Sequence, residues 1–195
     1  YDTARPMKLP LVLALALLGF TTSESAWAGG RLAPDPLTPE DHESLAVLKE
    51  QPSNVQPLAE ADAAFDEQRW EAAAALYAAL PLQDEDAARY PLRRRCQALA
   101  ELGRRADALA ACRKLLNTVV PNAADLQAQV QALMLGTGRP SDEDLQQATL
   151  LLRRAEGMDP DSVWVEGARC AVAERIGDRS ALAMRSAALA RLSPA

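Results

Sequence analysis

Stretches rich in alanine and leucine alternate along the chain with short polar turns, and residues 98–116 (ALAELGRRADALAACRKLL) show this arrangement most clearly. A single glycine, Gly103, divides this stretch into two helical segments. Glycine at that point permits the left-handed backbone conformation that often ends a helix. The pattern therefore predicts a hairpin of two helices joined by a tight turn.

The same layout of helix, tight turn and second helix recurs along the chain. It is predicted in residues 59–81, 96–116 and 170–194, while residues 144–160 show the second helix of a further unit. Gly177 takes the turn position in the last unit, and Gln68 stands in that place in the first. Ser141 and Asp144 have the spacing of a capping arrangement, which predicts that a helix restarts there.

A shorter helix is predicted ahead of these units, in residues 38–51 (TPEDHESLAVLKEQ). Thr38 is placed as its N-cap and Pro39 at its first helical position, with acidic residues in the first turn. Pro52 and Pro57 are expected to end this helix and to separate it from the units that follow.

Composition favours one fold class. Hydrophobic residues make up 49% of the chain but aromatic residues only 4%. Alanine and leucine supply most of the apolar side chains, and the β-branched residues that strands favour are scarce. We therefore expect an all-α protein.

The amino-terminal region has the pattern of a cleaved secretory signal. Lys8 follows Met7, residues 9–20 form an apolar run of twelve, and Ala26-Trp27-Ala28 is a small-x-small site. A membrane-spanning helix needs about 20 apolar residues, so this run is too short for an anchor. Cleavage is expected after Ala28, which predicts a periplasmic or secreted protein without a stable membrane span. Residues 1–6 precede the start methionine and are read as an upstream remnant.

The formal net charge of −6 is unevenly distributed. Residues 29–88 carry 13 acidic and 3 basic side chains, whereas residues 89–195 carry 12 acidic and 16 basic. Neither half is basic enough to predict a nucleic-acid partner. The asymmetry is compatible with head-to-tail contacts between copies and also with an ordinary solvated surface.

The spacing of the units points to a repeat family. Ala73 and Ala108 occupy equivalent positions 35 residues apart, and Ala148 and Leu182 are 34 apart, although the step between Ala108 and Ala148 is 40. Helical hairpins with a period of 34 residues are typical of tetratricopeptide repeats. The chain resembles that family over residues 54–195, on the motifs RWEAAAALYAAL, LGRRADAL, AEGMDP and IGDRSAL. The third unit departs from it through the long turn LGTGRPSDED.

The resemblance implies a short right-handed α-solenoid of about four antiparallel helix hairpins. It also implies that small residues lie where the helices of each hairpin cross, since small side chains let the axes approach. These residues are Ala61, Cys96, Ala132 and Cys170 on the first helices and Ala73, Ala108 and Ala148 on the second.

By the same resemblance, the first helices line a concave groove that holds a peptide or a partner's helix. The groove residues expected in this chain are Leu58, Asp62, Phe65, Tyr90, Arg93, Gln97, Gln129 and Leu133, with Trp164 at the far end. Family members that clamp a peptide carboxyl terminus use a Lys/Asn pattern, which Leu58 and Asp62 do not match. Arg93 is expected either to pair with an acidic ligand group or to lie on a solvated face.

The three cysteines leave two interpretations open. Cys96 and Cys112 belong to opposing helices of one hairpin, and an exported protein meets an oxidising compartment, which predicts a disulfide. A bridge closing this loop stabilises by about 3 kcal/mol. Alternatively, both are small buried hydrophobic residues, the role also expected for Cys170.

Other candidate chemistry is sparse. His42, the only histidine, has no partner at a defined spacing and is expected to be exposed. Residues 136–141 (GTGRPS) lack the lysine of a P-loop and are read as a lengthened turn. No cysteine or histidine pair has metal-ligand spacing. We therefore expect no enzyme activity, metal or cofactor.

These observations predict three segments: a removed signal peptide with its upstream remnant (1–28), a Pro-rich linker with a short helix (29–53) and a helical repeat domain (54–195). The expected function is a non-catalytic protein–protein interaction adaptor or scaffold in the periplasm or cell envelope. The alternative is a self-associating structural repeat protein that pairs its acidic front with its basic back.

Overall fold

The computed structural model describes residues 37–82, 85–135 and 139–192, apart from the side chain of Asp86. The expected signal peptide, most of the linker and part of the GTGRPS turn lie outside these residues. The described residues form nine α-helices and no strand, which confirms the all-α prediction. The helices are α1 Pro39–Glu50, α2 Pro52–Asp66, α3 Trp70–Ala79, α4 Glu85–Glu101, α5 Arg105–Thr118, α6 Ala123–Met134, α7 Asp142–Met158, α8 Val163–Ile176 and α9 Arg179–Leu192.

Capping boxes begin three of these helices. The pairs are Thr38 with Asp41 at α1, Asn122 with Asp125 at α6, and Ser141 with Asp144 at α7. In each pair the N-cap side chain accepts a hydrogen bond from the backbone of the third helical residue, whose carboxylate accepts one from the N-cap backbone. The predicted N-cap Thr38, with Pro39 at the first helical position, and the predicted cap Ser141–Asp144 are confirmed.

Three interhelical turns share one backbone conformation. Gln68, Gly103 and Gly177 have φ values of 60°, 70° and 84°. At each turn, the N–H of the residue that follows the positive-φ residue donates a hydrogen bond to the carbonyl five positions earlier. The pairs are Arg69 to Ala64, Arg104 to Leu99, and Asp178 to Ala173. These bonds satisfy carbonyls that the end of a helix otherwise leaves free. The predicted equivalence of Gln68 to the two glycines is confirmed.

Helix α1 ends at Glu50, ahead of Pro52 as predicted, but the expectation that Pro57 also separates it from the units that follow is wrong. Pro52 occupies the first turn of α2, where its missing N–H costs little, and Pro57 lies inside that helix. A proline in a helix deprives the carbonyl four residues earlier of its donor. For Pro57 that residue is Ser53, which is exposed, so water can serve its carbonyl.

The apolar core joins helices that are distant in sequence. Each helix packs on the next one along the chain, α1 also packs on α4, and α4 packs on α6. One cluster of buried apolar side chains extends from α1 to α6, and a second joins α6, α7 and α8. Among the small residues expected at helix crossings, six are fully buried: Ala61, Ala73, Cys96, Ala108, Ala132 and Ala148. Cys170 is only partly buried.

The first helix belongs to this core. Sequence analysis grouped it with the linker, but Leu45 and Leu48 are buried members of the first cluster. At the other end of the chain, α9 has no buried residue and Met184 is 64% exposed. The two ends of the helical stack therefore differ. Helix α1 is packed into the core, whereas α9 lies against α8 on the outside.

Candidate functional site

The residues expected to line a concave groove are largely buried. Leu58, Tyr90, Arg93, Gln97, Gln129 and Leu133 are all below one tenth exposed, while Asp62, Phe65 and Trp164 are partly exposed. Trp164 packs against the second apolar cluster, at the other end of the stack from Leu58. In the structure, then, the middle of the expected groove is covered by other parts of the protein.

Helix α1 packs against the part of this surface that α4 provides, and a serine of α1 lies beside a proline of α4. Pro91 lacks an N–H, so the carbonyl of Ala87 loses its helical donor. The hydroxyl of Ser44, from α1, donates to that carbonyl at 3.0 Å and accepts from the N–H of Tyr90 at 3.2 Å. Ser44 is buried. One side chain of α1 thus bonds two backbone groups beside the proline inside α4.

A buried ion pair fixes the same helix. The Arg93 guanidinium, which is 1% exposed, bonds the carboxylate of Asp41, the third residue of α1. The second guanidinium nitrogen lies 3.8 Å from Asp125 at the start of α6. Both expectations for Arg93, a ligand contact or a solvated face, are therefore wrong. Sequence reasoning missed its partner because Asp41 lies 52 residues away.

Neighbouring polar groups extend this contact into a network between α1, α4 and α6. Arg89 pairs with Asp125 and donates to the Val120 carbonyl at 2.8 Å. The Asn122 amide donates to Thr38 at 3.3 Å and to Glu40 at 3.1 Å. Burial raises the pKa of the Asp125 carboxyl. The hydrogen bond from the Asn122 N–H and the charges of Arg89 and Arg93 act in the opposite direction, because they favour the charged form. The two capping boxes are therefore held together by arginines of α4.

The aromatic residues at the α2 end form a second closed cluster. Asp62 accepts hydrogen bonds from the hydroxyls of Tyr77 at 2.6 Å and Tyr90 at 2.9 Å. Burial, with the adjacent Asp62 carboxylate, raises the pKa of Tyr77 far above its usual range. The Arg94 guanidinium lies 4.6 Å from the ring centre of Phe65 and 5.3 Å from that of Tyr90. Asp62 and Phe65 thus have intramolecular partners.

Two cysteines are joined in the hairpin of α4 and α5. A disulfide links Cys96 to Cys112, whose Cα atoms are 5.4 Å apart, within the usual range for such bridges. Both residues are fully buried. Cys170 is free, and partial burial raises the pKa of its thiol. The bridge ties the proline-containing helix α4 to the helix that follows it.

An open surface lies towards the carboxyl-terminal end of the stack. We call it the carboxyl-terminal groove; it encloses about 620 Å³. One wall is a stripe of α7 consisting of Asp142, Leu145, Gln146, Thr149, Leu150 and Arg153. The other wall contains Arg139, just ahead of α7, and Arg175 and Ile176 at the end of α8. A smaller hollow of about 270 Å³ adjoins it, shares Thr149, Arg153 and Ile176, and reaches α9.

The groove combines exposed apolar side chains with uncompensated positive charge. Leu150 and Ile176 are 63% and 58% exposed. Arg153 and Arg175 have no side-chain hydrogen bond or ion pair within the described part of the chain, and Arg139 donates only to the Arg175 carbonyl. By contrast, nearby Arg169 is paired with Glu156 and Glu166. Arg153 and Arg175 are 22 residues apart, so no local sequence pattern connects them.

Three further observations bear on the site. His42 is exposed, as expected. Among the described residues, no three histidine, cysteine, aspartate or glutamate side chains are grouped to hold a metal ion. None of the described helices combines the length and apolar character needed to cross a membrane.

Comparison of the chain with models of protein families, with curated proteins and with solved structures finds no match.

Proposed function

We propose that the chain is an exported, non-catalytic protein-interaction module of the periplasm or cell envelope, built as a tetratricopeptide-like right-handed solenoid. Its removed signal is residues 1–28, and its task is to bind a segment of another protein. The fully buried small residues at the helix crossings and the three equivalent turns support the repeat architecture.

One observation carries the binding function: a face of this stack already holds a helix through specific contacts. Helix α1 packs on α4 and contributes two leucines to the core. One of its serines bonds the backbone beside the proline inside α4, and one of its aspartates pairs with Arg93. A preformed surface of packed hairpins loses little entropy on binding. The central face is occupied by α1, so we assign partner binding to surfaces that remain open, at the carboxyl-terminal end.

Crosslinking in native cells tests this assignment. A photo-crosslinking amino acid is placed at Leu150 in α7 or at Met184 in α9, two exposed positions near the carboxyl-terminal end, and at Val120, which is 85% exposed between α5 and α6. We expect one partner, identified by mass spectrometry, to be crosslinked from Leu150 or Met184 and not from Val120. Equal labelling of many proteins from all three positions contradicts the proposal.

Export has an independent test. The mass of the protein purified from its native source is expected to correspond to a chain beginning at Gly29. Recovery of an uncleaved amino terminus from the cytoplasm contradicts the localisation.

A second candidate, self-association, is favoured by α9, which has no buried residue and exposes Met184. Sedimentation velocity over a range of protein concentrations, at low and moderate salt, distinguishes the two functions. A monomer at all concentrations excludes self-association, whereas an oligomer that salt dissociates favours contacts between the acidic and basic halves.

A further inference from the structure

We propose that the carboxyl-terminal groove binds an acidic amphipathic helix of a partner protein. This inference rests on the proposed interaction function and adds to it the chemistry of the partner. The occupant places apolar side chains between Leu150 and Ile176 and carboxylates on Arg139, Arg153 and Arg175.

The charge of the groove selects the sign of the ligand. Three arginines line it, and Asp142 is its one acidic residue. Arg153 and Arg175 are exposed and have no carboxylate partner within the described part of the chain, so their guanidinium groups are accessible to the carboxylates of a ligand. Carboxylates of a ligand supply the missing partners, and planar guanidinium groups bind them in a bidentate manner.

The length of the groove matches that of a short helix. Its α7 wall runs from Asp142 to Arg153, which at 1.5 Å per residue spans about 16 Å, or three helical turns. A ligand helix of similar length therefore places acidic residues at its two ends, about three turns apart, with apolar residues between them. Exposed Leu150 and Ile176 provide the apolar contact.

The chain contains a precedent for this mode of binding. Helix α1 docks on α4 with an acidic residue in its first turn, Asp41, and with Leu45 and Leu48 four and seven positions later on the same face. The Asp41 carboxylate is paired with Arg93, and both leucines of α1 are buried. We infer that a partner helix with this pattern binds the open groove in the same manner.

A binding assay with defined probes tests the chemistry. The probes are three fluorescein-labelled amphipathic helical peptides of identical leucine and alanine pattern, which carry glutamate, glutamine or lysine on the polar positions. Fluorescence anisotropy of the mature protein is expected to show saturable binding of the glutamate peptide and binding at least tenfold weaker of the other two. Equal binding of the glutamine peptide overturns the proposal.

Matched charge reversals locate the site. Arg153→Glu with Arg175→Glu is expected to weaken binding of the glutamate peptide at least tenfold. The control, Arg154→Glu with Arg179→Glu, makes the same charge change at exposed residues outside the groove and is expected to change affinity less than twofold. Similar losses in both double variants indicate a diffuse charge effect and overturn the proposal. Circular dichroism of each variant checks that the helices remain folded.

Two outcomes separate this inference from the proposed function. A partner crosslinked from Met184 and unaffected by the Arg153/Arg175 reversal overturns the groove proposal and leaves the interaction function standing. Absence of any specific crosslink contradicts the function itself. Binding to vesicles of anionic lipid that depends on Arg153 and Arg175, without binding of the glutamate peptide, assigns the groove to a membrane surface and overturns the proposal.

Discussion

Single residues at the turns set the local stability of the hairpins. Gln68 adopts a φ of 60°, a conformation that costs a side-chain-bearing residue free energy and glycine almost none. Gln68→Gly is expected to raise the free energy of unfolding by about 0.5–1 kcal/mol, measured by urea denaturation. Gly177→Ala is the reciprocal variant, with an expected loss of about 1 kcal/mol. A Cβ there meets no atom within 4 Å, so the loss reports backbone strain alone.

Ser44 offers a second test at the residue scale. Ser44→Ala leaves the Ala87 carbonyl and the Tyr90 N–H buried without that hydroxyl, which is expected to destabilise the protein by about 1–3 kcal/mol. The exposed Ser53 provides the control, and Ser53→Ala is expected to have little effect.

Because Pro91 creates the need for Ser44, the two residues are expected to be coupled. In a Pro91→Ala background the residue-91 N–H can donate to the Ala87 carbonyl, so Ser44→Ala is expected to cost about 1 kcal/mol less there. If Ser44→Ala lowers the free energy of unfolding equally in the two backgrounds, the proposed role of Ser44 beside Pro91 is contradicted.

At the scale of elements, the attachment of α1 depends on a buried charge pair. Arg93→Met leaves Asp41 charged and buried without its partner, with an expected cost of about 3–5 kcal/mol. Adding Asp41→Asn removes that charge and keeps a side chain that can cap α1. The double variant is therefore expected to be more stable than Arg93→Met alone. In the exposed pair Arg69–Glu67, by contrast, Arg69→Met is expected to cost below about 1 kcal/mol.

The Cys96–Cys112 bridge joins α4 to α5 and has a direct chemical test. Denatured, unreduced mature protein is expected to show one free thiol, that of Cys170, and three after reduction. Three thiols before reduction contradict the bridge. Replacing both bridged cysteines by alanine is expected to lower the free energy of unfolding by about 3 kcal/mol, since it releases a loop of sequence separation 16.

At the scale of the whole molecule, the described helices differ strongly in burial. Residues 124–134 of α6 are all buried, whereas α9 has no buried residue. Native-state hydrogen exchange is expected to be slowest in α6 and fastest in α9, because local opening is easiest where few apolar contacts are lost. Equal protection of the two helices contradicts this difference and indicates that the described stack opens as a single unit.

Local features of the sequence were sufficient to predict the helical class, the caps and the turns. Thr38, Ser141 and Gln68 act through bonds or backbone angles that involve neighbours within a few residues. Such features can be read from short stretches of sequence because both partners lie in the same stretch. A local error concerned proline: Pro57 is accommodated inside α2, which local rules disfavour.

The tertiary structure alone decided which surfaces are open. A face of α4 that the family resemblance implies to be part of a groove is covered by α1, because Ser44 and Asp41 meet groups 43 or more residues away. The carboxyl-terminal groove likewise unites Arg153 and Arg175 from separate helices. The sequence by itself determined the helical class, the caps at Thr38 and Ser141 and the turns at Gln68, Gly103 and Gly177, since those interactions are local. Which faces remain available for a partner depends on long-range packing, in which one docked helix closes a surface and leaves another exposed.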